Sequence, residues 1–249
     1  MIKEIIINVI AGIIGSLLTL FVSKLYFGYK HFGGFKKTAR LNKDCNTAGI
    51  VNVFPNRKSY IQHKDHGNSN DYIMKANHSV LYVGYWLATG TEVGELTKAL
   101  KELVNNQITV TLVFISPYDE ACLKICSNYI AIKPNQISER VKAVIKNLLE
   151  FKNGLNSEQR KYLVIKTHNV PLSATAFVID HSKNDNCKIL LDHKVYKGTR
   201  DSSYGIEFQN SQKIITKKLL DSYLSISKNA NEINEFQDLQ KGQSDKNEQ

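Results

Sequence analysis

No disulfide framework can be built from this chain. Of its 249 residues only four are cysteine, Cys45, Cys122, Cys126 and Cys187, and they are scattered apart from one Cys-x3-Cys pair. That pair falls in a stretch that reads as helix, where the spacing stacks two thiols on one face, so reduced or buried thiols are expected. Glycine-rich phosphate loops are missing as well. The three glycines of GYWLATGTEVG (Gly84 to Gly94) lack Walker or Rossmann spacing. His63 and His66 of HKDHGN have no further Cys/His cluster at metal-ligand spacing, so the segment reads as a polar turn and no metal or other cofactor is expected. There is no internal repeat and no inferable Ser-His-Asp arrangement.

Charge is absent from Ile5 to Ser23, IIINVIAGIIGSLLTLFVS. Nineteen residues at about 1.5 Å rise nearly span a hydrocarbon core of roughly 30 Å, and Leu25, Tyr26 and Phe27 extend the apolar reach. The rival reading is a cleaved signal peptide. The run exceeds the usual apolar region of about 7–15 residues and no small-x-small cleavage site follows it. A transmembrane anchor over residues 1–29 is therefore expected. Acid is absent between Lys24 and Lys43, where six basic residues stand. The positive-inside rule then predicts a single-pass protein of the inner (cytoplasmic) membrane with its large C-terminal part in the cytoplasm. Residues 30–48 form a basic juxtamembrane linker. Its KHFGGFKKTARLNK is either topology signal alone or a segment lying on an anionic leaflet.

What is present beyond Gly49 is an α/β pattern with enough apolar residues, 42% of the chain, to bury a full core. AGIVNVFPNR reads as a strand ending at Pro55, SVLYVGYW as a buried strand, TEVGELTKALKELVNN as an amphipathic helix and ITVTLVFI as a β-branched strand. A strand–helix–strand unit of this length predicts parallel strands. Helices are expected over Tyr118 to Ile130 and from Ser138, as N-cap, to Phe151. KYLVIKT is another strand, TAFVID and CKILLD flank HSKNDN as a hairpin, and SYGIEF precedes a helix from Ser211 to about Ser227. Residues 229–249 are polar and expected to be disordered. A net charge of +10 favours anionic partners without choosing among phospholipid headgroups, nucleotides and nucleic acid.

The order of these elements, with VLYVGYWLATGTEVGELTKALKELVNNQITVTLVFI and YLVIKTHNVPLSATAFVIDHSKNDNCKILLDHKVYKGTRDSSYGIEF, resembles the phospholipase D superfamily, most of all its single-copy bacterial branch. The likeness runs from about Gly49 to Ser227. It implies one mixed sheet flanked by helices, a phospholipase D-like domain over residues 49–228. The family's signature is His-x-Lys-x4-Asp. Counting back from Asp180 in SATAFVID puts its His position at Ser173 and its Lys position at Thr175. The aspartate is kept, whereas the imidazole that attacks phosphorus and the cation that grips its oxygens are not.

Two features nominate a pocket nonetheless. His168 precedes the strand by five residues, a place where the single-copy branch has a similar His. His193-Lys194, with Tyr196, resembles the site of the family's Gly-Ser-x-Asn loop. With Ser202, Ser203 and Glu207, and with Arg57 just past the first strand, these form a candidate phosphate pocket. The expected function is a membrane-anchored module that binds a phosphate-containing ligand, be it nucleotide, nucleic acid or lipid headgroup, as a non-catalytic sensor or effector in signalling or defence. The alternative is a membrane-anchored phosphodiesterase, nuclease or phospholipase, in which His168 and His193 are catalytic. There the resemblance implies a homodimer pooling two half-sites.

Overall fold

The computed structural model describes residues 39–63, 67–87, 93–198 and 202–236. The charge-free run Ile5–Ser23 and residues 237–249 lie outside them, as does His66. The chain divides into two compact units, Met1–Asn46 and Thr47–Gln249. Residues 39–48 are helical (α1). Among the described residues no helix is long and apolar enough to cross a membrane.

The second unit is built on one eight-stranded sheet. Its strands are β1 (Ile50–Phe54), β2 (Ser79–Gly84), β3 (Thr109–Ile115), β4 (Leu163–His168), β5 (Ala174–Ile179), β6 (Lys188–His193), β7 (Tyr204–Gln209) and β8 (Asn231–Glu232), in the spatial order β1-β7-β6-β5-β2-β3-β4-β8. β2, β3 and β4 run parallel. β5, β6 and β7 continue the sheet as an antiparallel meander, with β1 at its edge. The helices are α2 (Arg57–Ile61), α3 (Ser69–Ile73), α4 (Val93–Asn105), α5 (Glu120–Ile130), α6 (Pro134–Asn153), α7 (Ser157–Arg160) and α8 (Ile214–Asn229).

The local sequence explains most of these. TVTLVFI is rich in the β-branched residues that suit a pleated surface, and α4 buries Leu96, Leu100 and Leu103 on one stripe. Four differences from expectation have physical causes. α6 begins at Pro134, whose fixed φ suits the first helical position, and Ser138 is no cap because its hydroxyl donates to Pro117 O at 2.7 Å. α8 starts at Ile214, after a turn in which Lys213 N donates to Asn210 O at 3.0 Å. The polar stretch before β2 contains α3, started by a reciprocal capping box between Asn68 and Asp71. The expected disorder from residue 229 does not hold for its first residues. β8 pairs with β4, Ile233 N donates to Ile165 O at 2.9 Å, and Ile233 is buried. Backbone pairing needs no apolar composition, and one isoleucine suffices to dock the turn.

Two faces follow from strand alternation. One carries Tyr82, Phe177, Leu190, Thr175 and Asp192, in register across β2, β5 and β6. α3 covers it, with Tyr72 edge-on to Phe177 at 6.5 Å between centroids. α4 and α6 join on that side, as right-handed crossovers between successive parallel strands require. The other face carries Val83, Ala176, Leu191 and Lys166. Lys166 Nζ donates to Ser227 O of α8 at 3.1 Å, so α8 lies there.

Candidate functional site

At the end of the sheet where β2, β3 and β4 finish, three charged side chains converge on the first face. Pro55 ends β1, and Asn56 caps α2, its Oδ1 accepting Ser59 N at 2.9 Å. Arg57 therefore takes the first position of α2. Its Nη1 lies 3.6 Å from Oδ2 of Asp192, near the end of β6. Lys194, two residues on and so on the same side of the strand, places Nζ on the same oxygen. The side chains of Arg57, Asp192 and Lys194 are only 12%, 7% and 14% exposed, which separates this group from a solvated surface pair. Asp192 Oδ1 is buried with no hydrogen-bond partner among the described residues.

Ser173 and Thr175 border the cluster. Lys194 N donates to Ser173 O at 2.9 Å, and Thr175 is the register partner of Asp192. Beneath lies Tyr82, whose hydroxyl donates to Trp86 O at 2.7 Å and also interacts with Thr175. Burial, and then Asp192, raise its phenol well above the usual range. Gly84 makes this floor possible. A Cβ there would stand 2.5 Å from the Tyr82 hydroxyl and 2.8 Å from Thr175 Cγ2. What the arrangement can do is hold an anionic group by charge and by hydroxyls. It offers no imidazole from the two positions that the sequence nominated.

His168 ends β4 on the opposite face and is buried. Its Nδ1 accepts Val170 N at 3.2 Å, and its Nε2 faces Gly84 O at 3.3 Å. Burial pushes the imidazole down to about 4, so it is neutral at physiological pH. His193 also faces away from the cluster, stacked on Tyr204 with ring centroids 5.0 Å apart and planes at 9°. Burial lowers its pKa, against Asp192. Four strand spacings separate β6 from β4, so the two imidazoles stand about 19 Å apart and do not form one catalytic pair.

Asp180 sits at the far end of β5. Its carboxylate accepts the backbone N–H of Asn77 (3.0 Å), His78 (2.7 Å) and Ser79 (3.2 Å), fastening the entry to β2 with its own φ at 54°. It is a structural clasp there, at the opposite end of β5 from Thr175. Glu207 is on the cluster's face but deeper, accepting Asn52 Nδ2 at 2.6 Å and Tyr72 Oη at 3.5 Å. Tyr196 is exposed and meets Tyr129 of α5 edge-on. Ser203 is fully buried at the entry to β7, while Ser202 is exposed beside Gly198. His63, read as part of a polar turn, packs edge-on against Phe54 at 5.5 Å. A cavity of about 260 Å³ on the other side, between residues 170–174 and α8, is lined mainly by apolar groups such as Leu172, Leu219 and Ile226.

The sequence reading missed Asp192, the hub of the cluster. One signal was available: it is the only acid in the strand KILLDH, set directly between the apolar run Ile189–Leu191 and His193-Lys194. Among the described residues no group of three His, Cys, Asp or Glu could hold a metal ion.

No family model and no curated protein matches the sequence. Among solved structures, the chain is similar to phosphatidylserine synthase from Haemophilus influenzae Rd KW20, with a TM-score of 0.45 and 11% identity over 68% of this chain and 37% of that one. It thus spans little more than a third of the synthase. It is similar to Nuc from Salmonella typhimurium, a phospholipase D family member, with a TM-score of 0.41 and 12% identity over 67% of this chain and 88% of that one. It is also similar to TrmBL2, an archaeal chromatin protein with a novel mode of DNA binding, with a TM-score of 0.45 and 10% identity over 87% and 69% of the two chains.

Proposed function

We propose that this chain is a membrane-anchored phospholipase D-like module that binds a phosphate-containing ligand without hydrolysing it. The observation that carries this reading is the convergence of Arg57 and Lys194 on one oxygen of Asp192, beside Ser173 and Thr175. Two nearly desolvated cations at one point form a receptor for an anion, and charge-assisted contacts are the strong ones. The Asp192 carboxylate holds that place in the unliganded chain, and a phosphate group competes with it for the cations. Hydrolysis needs a nucleophile and an acid on phosphorus. Ser173 and Thr175 stand where the resemblance puts the family's His and Lys, and His168 and His193 face the other side. Anchoring rests on the charge-free run Ile5–Ser23 and the basic flank that follows it.

The test is titration calorimetry on the detergent-solubilised full chain with inorganic phosphate, a dinucleoside monophosphate and a short oligonucleotide. One of these binds, and Arg57→Gln or Lys194→Gln weakens it about ten- to a hundredfold, the loss of one charged contact. Bis(p-nitrophenyl) phosphate is not turned over. Absence of binding by all three overturns the reading. So does turnover that disappears in His168→Ala or His193→Ala, which favours the phosphodiesterase.

A further inference from the structure

On the face of the sheet that α8 packs against, cover is incomplete towards the β1 and β7 edge, and the residues there are apolar. Val53 of β1 pairs with Ile206 of β7, and Ile206 with Leu191, which places all three on the face that α8 packs against. Cover falls away along this row. Phe208 is 5% exposed, Ile206 is half-buried, Tyr204 is 38% exposed, and Val53 on the edge strand is 63% exposed. α8 itself opens with Ile214 and Ile215, both exposed. Single exposed apolar residues are ordinary, but exposed apolar groups at both ends of one strand row are not.

The chain enters the unit at the corner where β7 ends and α8 begins, the Phe208 end of this row. Gln209 N donates to Gly49 O at 2.8 Å and Thr216 Oγ1 to Ala48 O at 3.3 Å, pinning the entry to the end of β7 and the first turn of α8. The corner is therefore the part of the unit that follows the charge-free run most directly. Its charge is one-sided too. Lys213, Lys217 and Lys218 surround the isoleucines, and Asp221 is the single acid between residues 213 and 221.

We propose that the face formed by β1, β7 and the first turn of α8 docks on an anionic bilayer surface. Val53, Tyr204, Ile214 and Ile215 enter the headgroup region, and the three lysines stand among the phosphates. The proposal rests on the anchoring reading above. It adds an orientation: the face bearing Asp192 is turned away from the lipid and open to a ligand from the water phase.

The experiment uses the full chain in vesicles with brominated acyl chains, of phosphatidylcholine alone or with phosphatidylserine. Ile214→Trp and Val53→Trp report from two separate elements, and Ile125→Trp on α5 is the control. The chain's own Trp86 is buried and constant. Tryptophan at 214 and 53 is quenched in phosphatidylserine vesicles and the control is not. Each of Lys217→Gln and Lys218→Gln lowers the docked fraction's ratio roughly fivefold. Equal quenching at 214, 53 and 125 in a chain that resists carbonate extraction overturns docking and leaves anchoring intact. Loss of the chain in carbonate with quenching retained overturns anchoring and leaves docking. If quenching is absent and Val53→Glu dissociates a dimer, the face belongs to a second copy and the proposal is wrong.

Discussion

Arg57 Nη1 lies 3.6 Å from Asp192 Oδ2, joining the first residue of α2 to the end of β6 with both side chains nearly closed to solvent. The pair is therefore costly to halve. Asp192→Ala removes the buried carboxylate that Arg57 and Lys194 share and lowers unfolding stability by about 3–5 kcal/mol. The same variant takes up phosphate more readily, because the internal competitor is gone. Urea denaturation with and without phosphate checks both. The midpoint falls, and phosphate restores more of it in the variant than in the parent chain. An unchanged midpoint shows that Asp192 is not the hub.

His168 makes stability pH-dependent in a stated direction. Its value is about 4 in the fold against 6.5 for the free imidazole, with burial as the cause. Between those values the unfolded chain binds a proton that the folded chain does not. Stability is thus level above about pH 6.5 and falls by up to ~3 kcal/mol as pH drops towards 4. His181 and His193, also lowered by burial, act in the same direction. The measurement is accordingly the difference between the parent chain and His168→Gln, whose unfolding free energy is less steep over that range.

Asp180→Ala separates fold from binding. It strips the acceptor from three backbone donors, two of them within 3.0 Å, and costs about 2–4 kcal/mol. Asp180→Asn keeps one oxygen, tolerates φ 54°, and costs less. Calorimetric affinity for phosphate is the same in Asp180→Asn as in the parent chain. A tenfold loss places Asp180 in the site after all.

Restoring the signature residues does not restore chemistry. Ser173→His with Thr175→Lys yields no hydrolysis of bis(p-nitrophenyl) phosphate, since His168 and His193 face the other side of the sheet. The added lysine also brings a third cation beside Arg57 and Lys194 and lowers the melting temperature. Release of nitrophenolate above background shows that another imidazole, His63 or a partner copy's, reaches the cluster.

Local chemistry alone determined most of the element list. Alternation and β-branching set β2 to β6, the leucine stripe set α4, and the length of the first crossover set the parallel pairing of β2 and β3, while the parallel pairing of β4 came from the structure. The loss of both signature residues at Ser173 and Thr175 is likewise a fact of sequence, as are the charge-free run and its basic flank. Tertiary structure decided which side of the sheet each polar residue faces. His193 and Lys194 are neighbours in sequence, yet strand alternation sends the imidazole to one face and the ammonium to the other. His168 and Lys194 lie at the same end of the sheet, on opposite faces, with four strand spacings between β4 and β6. Arg57 finds Asp192 because β1 returns to the sheet edge beside β7, a pairing set by the whole topology and by no local pattern. A chain declares its periodicities through short-range preferences. A site is a set of distances between remote residues, and only the packed sheet fixes those.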